Sequence, residues 1–443
     1  MIDVLKTILA SDAIEASGEV LTAYAVCGQR PKLVLFPSTM TQISQLMVLA
    51  KCKGKKIMVL GRNSQSSLGS AVEAPDWCIS LQRMNQMVEH EPADLMATFQ
   101  AGVTLLQLQE WLRPHQQFLP LDPPQATVST LGGIIATNAA GPWQLYFGTV
   151  RDLVLGMKIV LPDGIIIRAG GKTVKNVAGY DLSKLFIGSM GTLGIIGEIT
   201  VRLFPVPAAS QTIAAQFERF DRIPPLIRSI TNSNLVITRC EYFNPAIADK
   251  LGFLNAYSDQ GHVVLLSIQG HPEMVTATGE TIKNLMTSAG GRGLAIYAAQ
   301  EEPELWQRIN STSMSDSWIQ VQISVPRSKW GAIVLAVENL GREIALPLAI
   351  QAHAGSGLIQ VGWRTDSADG PSDDGHQVAY VDRLRQLAKQ EQGHLVVLRA
   401  PLALRNPATI WGEPPENFPW LQKIKSQYDA NHQFVAGRFV GGL

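Results

Sequence analysis

Several glycine-rich stretches of this sequence have residue types that suit the binding of a phosphate or a large cofactor. Residues 170–173, Gly-Gly-Lys-Thr, match the end of a P-loop. A complete P-loop has a further glycine, five residues before the one that precedes its lysine, so that successive backbone N–H groups surround the phosphates. That position is Ile166. The stretch is therefore not predicted to be a nucleotide-binding P-loop.

A second run of glycines consists of Gly188, Gly191 and Gly194. The dinucleotide-binding fingerprint has the pattern Gly-x-Gly-x-x-Gly and lies between a strand and a helix. Here the glycines are evenly spaced, and the apolar residues that follow them predict a strand. We therefore do not predict a Rossmann-type loop at this position.

Two other stretches fit an anion or a cofactor better. Residues 61–69, Gly-Arg-Asn-Ser-Gln-Ser-Ser-Leu-Gly, follow a predicted strand and offer backbone and hydroxyl donors. Residues 129–141, STLGGIIATNAAG, place paired glycines before small residues, which leaves room for a planar group or a pyrophosphate. Each stretch is equally compatible with an ordinary role, a surface loop for the first and a tightly packed helix start for the second. Between them, residues 119–124 end in an extended Asp-Pro-Pro segment.

The overall charge gives no support for nucleic-acid binding. The 443 residues include 37 basic and 37 acidic side chains, and no basic run is present. A basic face is what displaces counterions from a phosphate backbone. No apolar stretch is long enough for a transmembrane helix. The N-terminal residues 1–17 carry charges throughout, so they predict an amphipathic helix and not a signal peptide.

The four cysteines are scattered along the chain, at Cys27, Cys52, Cys78 and Cys240. Iron–sulfur clusters and zinc sites use closely spaced cysteines. We therefore expect no metal site in this chain, and the cysteine usage fits a reducing, cytoplasmic location.

The elements that must position these stretches can be predicted from hydrophobic periodicity. A short βαβ unit is predicted over residues 33–60, a helix over 105–112 and a hairpin over 154–168. A strong strand follows over 195–203. In the second half the predicted strands are 212–217, 235–242, 263–268, 319–325 and 358–363.

These elements predict an α+β protein with four segments. Pro205 and Pro207 mark the end of the first large domain. The segments are an N-terminal helical segment (1–29), a cofactor domain (30–205), an α+β cap domain with an antiparallel sheet (206–398) and a C-terminal tail that returns to the first domain (399–443).

Six linked stretches, in this order, resemble the two-subdomain FAD-binding domain of the PCMH-type, or vanillyl-alcohol-oxidase-like, flavoproteins. The resemblance covers residues 30–205. The stretches are the loop 61–69, QAGVTLLQLQEWL (100–112), LPLDPP (119–124), TLGGIIATNAAGP (130–142), FGTVRDLVLGMKIVLPDG (147–164) and KNVAGYDLSKLFIGSMGTLGIIGEITVRLFP (175–205).

The resemblance implies which residues bind FAD. The pyrophosphate would lie between a first loop and a second wall, formed by Gly61, Arg62, Asn63, Ser64, Gln65 and Ser66, and by Thr130, Gly132 and Gly133. The isoalloxazine would lie near Asp122, Pro123, Pro124, Ala136, Thr137 and Asn138, with residues 176–181 forming a wall. The adenine end would lie near Gly191, Gly194 and Ile195. Arg438 matches the arginine of a C-terminal family motif, although Val435 and Ala436 replace its Asn-Pro.

The resemblance also bears on how the cofactor is held. Some members of the family attach flavin covalently through a histidine in the first loop. Residues 61–69 contain neither histidine nor cysteine. We therefore predict FAD bound without a covalent link.

The tail is similar to the FAD-binding E subunit of bacterial glycolate oxidase, although the middle region here is longer than in the compact form of that subunit. The similar stretches are LRAP (398–401), IWG (410–412) and DANHQFVAGRFVGGL (429–443). The resemblance implies a 2-hydroxy acid substrate and two partners, a D-type flavoprotein subunit and an iron–sulfur subunit.

The catalytic signature of the related dehydrogenases, His-x-Gly-Asp-Gly-Asn-x-His, is degraded here. The first histidine matches His353, but Ser356, Leu358 and Gln360 replace the Asp, the Asn and the second histidine. We therefore expect an electron-relay subunit in which the D-type partner oxidises glycolate to glyoxylate. Two alternatives stay open. One is a self-sufficient D-2-hydroxy-acid dehydrogenase that uses His353 and Arg399, and the other is a structural subunit that has lost its cofactor.

Overall fold

The computed structural model describes residues 1–65, 67–171, 180–253, 261–311, 318–364 and 374–443. The chain forms two compact units. The first contains Met1–Ala140, Thr149–Val206 and Arg405–Leu443, and the second contains Gly141–Gly148 and Pro207–Leu404.

The first sheet of the first unit has four strands and includes the predicted βαβ unit. Helix Met40–Cys52 follows the second strand and is capped by Thr39, whose hydroxyl accepts a hydrogen bond from the backbone N–H of Gln42. Strand Ile14–Glu15 pairs with strand Leu33–Leu35 in antiparallel orientation, and the other two strand pairs of this sheet are parallel. The strand order across the sheet is Ile14–Glu15, Leu33–Leu35, Trp77–Ser80 and Ile57–Leu60.

The second sheet of the first unit is antiparallel and contains the predicted hairpin. Gly164 has φ +86° in the hairpin turn, a conformation that glycine adopts without steric cost. The strand order is Met87–Glu91, Met96–Gln100, Ile195–Arg202, Val154–Val160 and Ile166–Gly170. A further short pair joins Gln117–Phe118 to Phe204–Pro205.

Most helices of the first unit are short. They pack around a hydrophobic core that contains the buried aromatic residues Trp77, Phe99, Phe186 and Phe434. The α-helices are Ile2–Leu5, Gly18–Ala23, Met40–Cys52, Leu105–Leu112, Leu131–Thr137, Val150–Leu153, Ser183–Phe186, Pro407–Trp411 and Phe418–Tyr428. In the ranges that the structure covers, every helix is too short or too polar to serve as a membrane span.

The N-terminal segment differs from the single amphipathic helix predicted for residues 1–17. Only Ile2–Leu5 is α-helical there, and Ile14–Glu15 is a strand. The backbone N–H of Phe36 donates to the carbonyl oxygen of Ala13 over 2.9 Å, and Ile14 lies opposite Leu35. The edge of the first sheet therefore binds this backbone, which takes it out of the helix.

The second unit contains an eight-stranded antiparallel sheet, which confirms the predicted α+β fold. The strand predicted from residue 235 begins only at Arg239, because the N–H of Leu235 is bonded locally to Ser233 Oγ. The strand order is Arg292–Ala298, Ala209–Phe217, His262–Gly270, Arg239–Phe243, Ala349–His353, Leu358–Arg364, Trp318–Ser324 and His394–Arg399. The α-helices are Gln144–Phe147, Ile223–Thr231, Pro245–Lys250, Pro272–Ser288, Glu301–Ser311, Trp330–Glu343 and Asp374–Gln390.

Candidate functional site

The first unit contains a cleft at the point where strand Ile57–Leu60 ends. The space between its walls, including the solvent at its mouth, is about 720 Å³. Thirteen of the predicted cofactor residues line it, although they come from four separate parts of the chain. These residues are Gly61, Arg62, Asn63, Ser64, Gln65, Thr130, Gly132, Gly133, Ala136, Thr137, Gly191, Gly194 and Arg438.

Glycines allow the walls of this cleft to approach each other. A Cβ atom on Gly61 would lie 2.2 Å from Oγ1 of Thr130, and a Cβ atom on Gly132 would lie 2.7 Å from the Cβ of Ala101. Contacts this short would force the first loop and helix Leu131–Thr137 apart. The Thr130 hydroxyl also caps that helix by accepting from the N–H of Gly133 over 3.2 Å. The paired glycines therefore have a packing role as well as leaving backbone open to a ligand.

Arg438 supplies a buried positive charge at this cleft. The residue is 7% exposed, and its Nη2 donates to the backbone carbonyl oxygen of Gln65 over 3.3 Å. Its Nη1 is buried and has no hydrogen-bond partner among the described residues, and the same holds for Oδ1 of Asn63. Burial lowers the pKa of the Arg438 guanidinium below its ordinary value. A buried cation with an unused N–H favours an anionic ligand, because a charge-assisted hydrogen bond would replace the lost hydration.

The C-terminal tail places Arg438 there by joining the edge of the first sheet. The N–H of Ile57 donates to the carbonyl oxygen of Gln433, and the N–H of Val435 donates back to the carbonyl oxygen of Ile57. Asp429 is fully buried and accepts from Lys425 Nζ over 2.6 Å and from the N–H of Gln433 over 2.7 Å. These bonds fix the path of the chain just before Arg438.

Five of the other predicted cofactor residues do not line the cleft. Ile195 is fully buried in the core, and its neighbour Ile196 lines the cleft instead. Asp122 is buried, and Asn138 ends helix Leu131–Thr137 in the left-handed conformation at φ +50°. Pro123 and Pro124 also lie outside the lining. Ser66 and residues 176–179 of the predicted flavin wall lie outside the described residues.

Sequence reasoning missed the apolar part of the lining. These side chains belong to no sequence motif. Their position beside predicted strands and glycines was the one feature that could have identified them as lining residues. The residues are Val59, Leu60, Leu81, Ala101, Met190 and Ile196.

His353 lies in the second unit and forms a pair that the sequence did not predict. Its Nδ1 is 2.7 Å from Oε1 of Glu241, and Gln351 Nε2 donates to Oε2 of the same carboxylate over 2.9 Å. Glu241 and His353 are directly opposite each other on adjacent strands. Glu241 is fully buried and His353 is 5% exposed. A buried carboxylate at hydrogen-bond distance from an imidazole is an arrangement that suits proton transfer.

Arg399, the other predicted catalytic residue, is not brought close to His353. In the sheet, two other strands lie between the strand of Arg399 and the strand of His353. The residue of the His353 strand that is level with Arg399 across the sheet is Ala349, at the other end of that strand. Strands are about 4.8 Å apart and rise about 3.4 Å per residue, so the two Cα atoms are roughly 20 Å apart. One small hydroxy acid cannot contact both side chains.

The comparisons with known proteins agree with the cofactor site. Residues 31–170 match the family described as FAD binding domain. The chain is 28% identical over 349 residues to the glycolate oxidase subunit GlcD of Bacillus subtilis (strain 168), which covers 76% of this chain and 73% of that protein. It is also 28% identical over 345 residues to a D-lactate dehydrogenase of Archaeoglobus fulgidus, with 75% and 76% covered.

The glycolate oxidase subunit GlcE of Escherichia coli (strain K12) is 37% identical over 158 residues, which are 35% of this chain and 45% of that protein. Among solved structures, p-cresol methylhydroxylase with substrate bound superimposes with a TM-score of 0.75 at 15% identity, covering 99% of this chain and 95% of that one. At this identity the similarity establishes the fold. The family match, the relatives and the cleft together confirm FAD as the cofactor, and the chain contains an FAD binding domain over residues 31–170 within the fold of the PCMH-type flavoproteins.

Proposed function

We propose that this chain uses FAD in the oxidation of a small 2-hydroxy acid, with glycolate to glyoxylate as the first reaction to test, as the FAD-binding subunit of a glycolate-oxidase-type complex. The observation that carries the proposal is the cleft with the unpartnered Nη1 of Arg438, because it fits the charged part of FAD. Two of the relatives are named glycolate oxidase subunits and a third is a D-lactate dehydrogenase.

The residues of the first loop and Arg438 hold the FAD pyrophosphate in this proposal. The backbone N–H groups of residues 61–65 and the Ser64 hydroxyl donate from one side, and the backbone near Gly132 and Gly133 forms the other side. Ser64 Oγ is already positioned by Ser129 Oγ at 3.3 Å. Each hydrogen bond to a charged group contributes about 1.5–3 kcal/mol, so a few of them anchor the dianion.

The chain has one of two roles, as a relay subunit of such a complex or as a self-sufficient dehydrogenase. In the relay role, a D-type flavoprotein subunit oxidises the substrate, an iron–sulfur subunit accepts the electrons, and this chain carries electrons between them. The degraded signature after His353 supports that role. In the other role this chain oxidises the 2-hydroxy acid itself, and the contact between Glu241 and His353 favours it. Both roles place the protein in the cytoplasm, with any membrane association provided by partner subunits.

Oxidation by this chain would divide the chemistry between the cofactor and the protein. Bound FAD supplies the acceptor for the hydride of the substrate C–H bond. His353 accepts the hydroxyl proton, and its buried partner Glu241 stabilises the imidazolium that results.

Anaerobic stopped-flow mixing of the purified holoprotein with glycolate, and separately with D-lactate, tests the proposal. Rapid loss of the oxidised flavin absorbance with either acid supports oxidation by this chain. If neither acid bleaches the flavin until a D-type subunit is added, the relay role is supported. A holoprotein that is bleached by neither acid under either condition would refute the proposed substrate class.

A further inference from the structure

We infer that Asn63 is a positioning residue of the FAD site, which ties the described part of the first loop, residues 61–65, to the N-terminal residues 18–27 and so holds the backbone N–H groups of the loop at the pyrophosphate. This role depends on the proposed place of the pyrophosphate and is independent of the substrate that is oxidised. It also gives a function to a segment that precedes the matched family region, which begins at residue 31.

The first loop has backbone donors that the described residues leave unused. Residues 61–65 follow strand Ile57–Leu60 and line the cleft. Among the described residues, none accepts a hydrogen bond from the backbone N–H groups of residues 62–65. Consecutive N–H groups of one loop can bind the oxygens of an anion when the backbone is held in one conformation. The contacts that hold this backbone therefore control how tightly the phosphates bind.

Asn63 uses its side chain within the protein and not at the phosphates. Its Nδ2 donates to the carbonyl oxygen of Ala23 over 2.9 Å and to that of Ala25 over 3.4 Å. Carbonyl oxygens only accept, so the amide nitrogen must face them. The other amide atom, Oδ1, is itself an acceptor and cannot bind a phosphate oxygen. The side chain therefore joins the middle of the loop to the N-terminal segment.

The N-terminal segment is itself fixed, so it can hold the loop. Val26 is 1% exposed, and its backbone exchanges two hydrogen bonds with Gln29 over 2.9 and 3.0 Å. Cys27 and Gly28 form the turn between them, with φ +51° and +77°. The Sγ of Cys27 also lies 3.6 Å from the carbonyl oxygen of Ser70. The carbonyl groups that accept from Asn63 therefore belong to an anchored stretch of chain.

Tyr24 makes a second connection between the same segment and the loop. Its hydroxyl is 3.2 Å from Oγ of Ser80 and 3.0 Å from Oε1 of Gln82. The Ser80 hydroxyl donates to the carbonyl oxygen of Gly61 over 3.1 Å. In a trans peptide unit the C=O and N–H bonds point in opposite directions, so this contact also sets the direction of the N–H of Arg62. The segment thus fixes the start of the loop as well as its middle.

Two substitutions of Asn63 separate the side chain from the backbone conformation. The residue has φ +60°, which glycine adopts easily and alanine does not. Asn63→Gly and Asn63→Ala therefore change the backbone in opposite directions but lose the same hydrogen bonds. In both, we expect the Kd for FAD to rise by about 5- to 10-fold, the size expected for one or two lost hydrogen bonds. A rise in only one variant, or in neither, would overturn the inference.

Phosphorus NMR of the bound cofactor separates positioning from a general loss of stability. Each protein is saturated with FAD and measured well below its unfolding temperature. We expect the two phosphorus resonances of FAD in the wild type to be displaced from those of free FAD. In Asn63→Gly they should move back toward the free positions, because the N–H groups are no longer held. A variant that is only less stable keeps the wild-type resonances, and that outcome would overturn the inference.

Gln392→Gly is the matched control, since it places glycine at another residue with a left-handed backbone. Gln392 has φ +61° and is exposed in the second unit. We expect its Kd for FAD and its phosphorus resonances to equal those of the wild type. The same rise in Kd as in Asn63→Gly would show an unspecific effect of glycine and overturn the inference.

Tyr24→Phe tests the second connection without a change in the loop. The variant removes the hydroxyl and keeps the ring, which contacts Phe36 with its centroid 5.7 Å away. We expect the Kd for FAD to rise by about 3- to 5-fold, as for one lost hydrogen bond. This variant decides the question if the Asn63 variants do not fold, and a Kd within a factor of two of wild type would then overturn the inference.

The outcomes separate this inference from the proposed function. If the wild-type flavin is bleached by neither acid but the Asn63 variants lose FAD affinity as expected, the proposed substrate class fails and the role of Asn63 stands. If bleaching occurs and the variants bind FAD like the wild type, only the inference fails. Wild-type phosphorus resonances at the positions of free FAD would also overturn it, because the loop would then not hold the pyrophosphate.

Discussion

Arg438 and Gln65 are 373 residues apart in the sequence and are joined by a hydrogen bond from Nη2 to the backbone carbonyl oxygen. Two glycines with positive φ make this contact possible. A Cβ atom on Gly69 would lie 2.5 Å from the carbonyl oxygen of Arg438, and one on Gly437 would lie 2.3 Å from that of Ala71. The tail and the first cofactor loop therefore pack backbone against backbone, with the guanidinium at the cleft.

The first prediction concerns the charge of Arg438. We expect Arg438→Met to raise the Kd for FAD by about 10- to 100-fold, because one charge-assisted hydrogen bond contributes about 1.5–3 kcal/mol. Arg438→Lys keeps the charge and should lose less affinity. Titration of the apoprotein with FAD, followed by flavin fluorescence, measures both values. Arg383→Met, which removes a partly exposed arginine of the second unit, is the control. A Kd within a factor of two of wild type would contradict the assignment.

The second prediction concerns the approach of the loop to helix Leu131–Thr137. Gly61→Ala places a Cβ atom where Thr130 Oγ1 lies, so we expect FAD to be lost and the protein to be destabilised by about 1–3 kcal/mol, as in other overpacked sites. Gly18→Ala is the matched control, since its Cβ atom would meet nothing within 4 Å. Flavin content after gel filtration and thermal unfolding report the two effects. Equal flavin content in both variants would count against the loop as a cofactor site.

The third prediction is that FAD is bound without a covalent link. The described part of the first loop lies at the cleft and has no nucleophilic side chain of the histidine or cysteine type. Acid precipitation of the holoprotein should therefore leave the yellow colour in the supernatant. A pellet that keeps its flavin after washing would disprove this prediction.

The fourth prediction concerns pH and the buried His262. Burial lowers the pKa of His262 from 6.5 to about 4, with a smaller effect from the Arg342 guanidinium. The unfolded chain therefore binds a proton that the folded chain does not, between pH 6.5 and 4. The free energy of unfolding should fall as the pH falls through this range, by on the order of 3 kcal/mol from this group.

Comparison with His262→Gln isolates this effect. Burial raises the pKa of the neighbouring Glu338, whose contribution has the opposite sign, since it is present at low pH and lost as the pH rises. Both proteins contain Glu338, so the difference between their pH profiles of denaturant unfolding reports His262. Parallel profiles for wild type and variant between pH 6.5 and 4 would show that His262 does not contribute.

Local elements and the cofactor could be predicted from the sequence because their signals lie within a few residues of one another. Helix Leu105–Leu112 and the hairpin that contains Gly164 follow from periodicity and turn chemistry. The glycine-rich stretches marked most of the polar wall of the cleft, and FAD as the cofactor is confirmed. The N-terminal helix was predicted wrongly over residues 6–17 because a distant sheet edge binds that backbone.

The sequence by itself determined the types of residue that form the cofactor loop, the antiparallel character of the sheet in the second unit and the FAD chemistry of the chain. The tertiary structure decided which distant residues meet. Glu241 contacts His353 because two strands separated by 112 residues pair in one register, while Arg399 lies roughly 20 Å away because two other strands come between them. Strand order and register depend on long-range packing, which no local pattern of residues encodes.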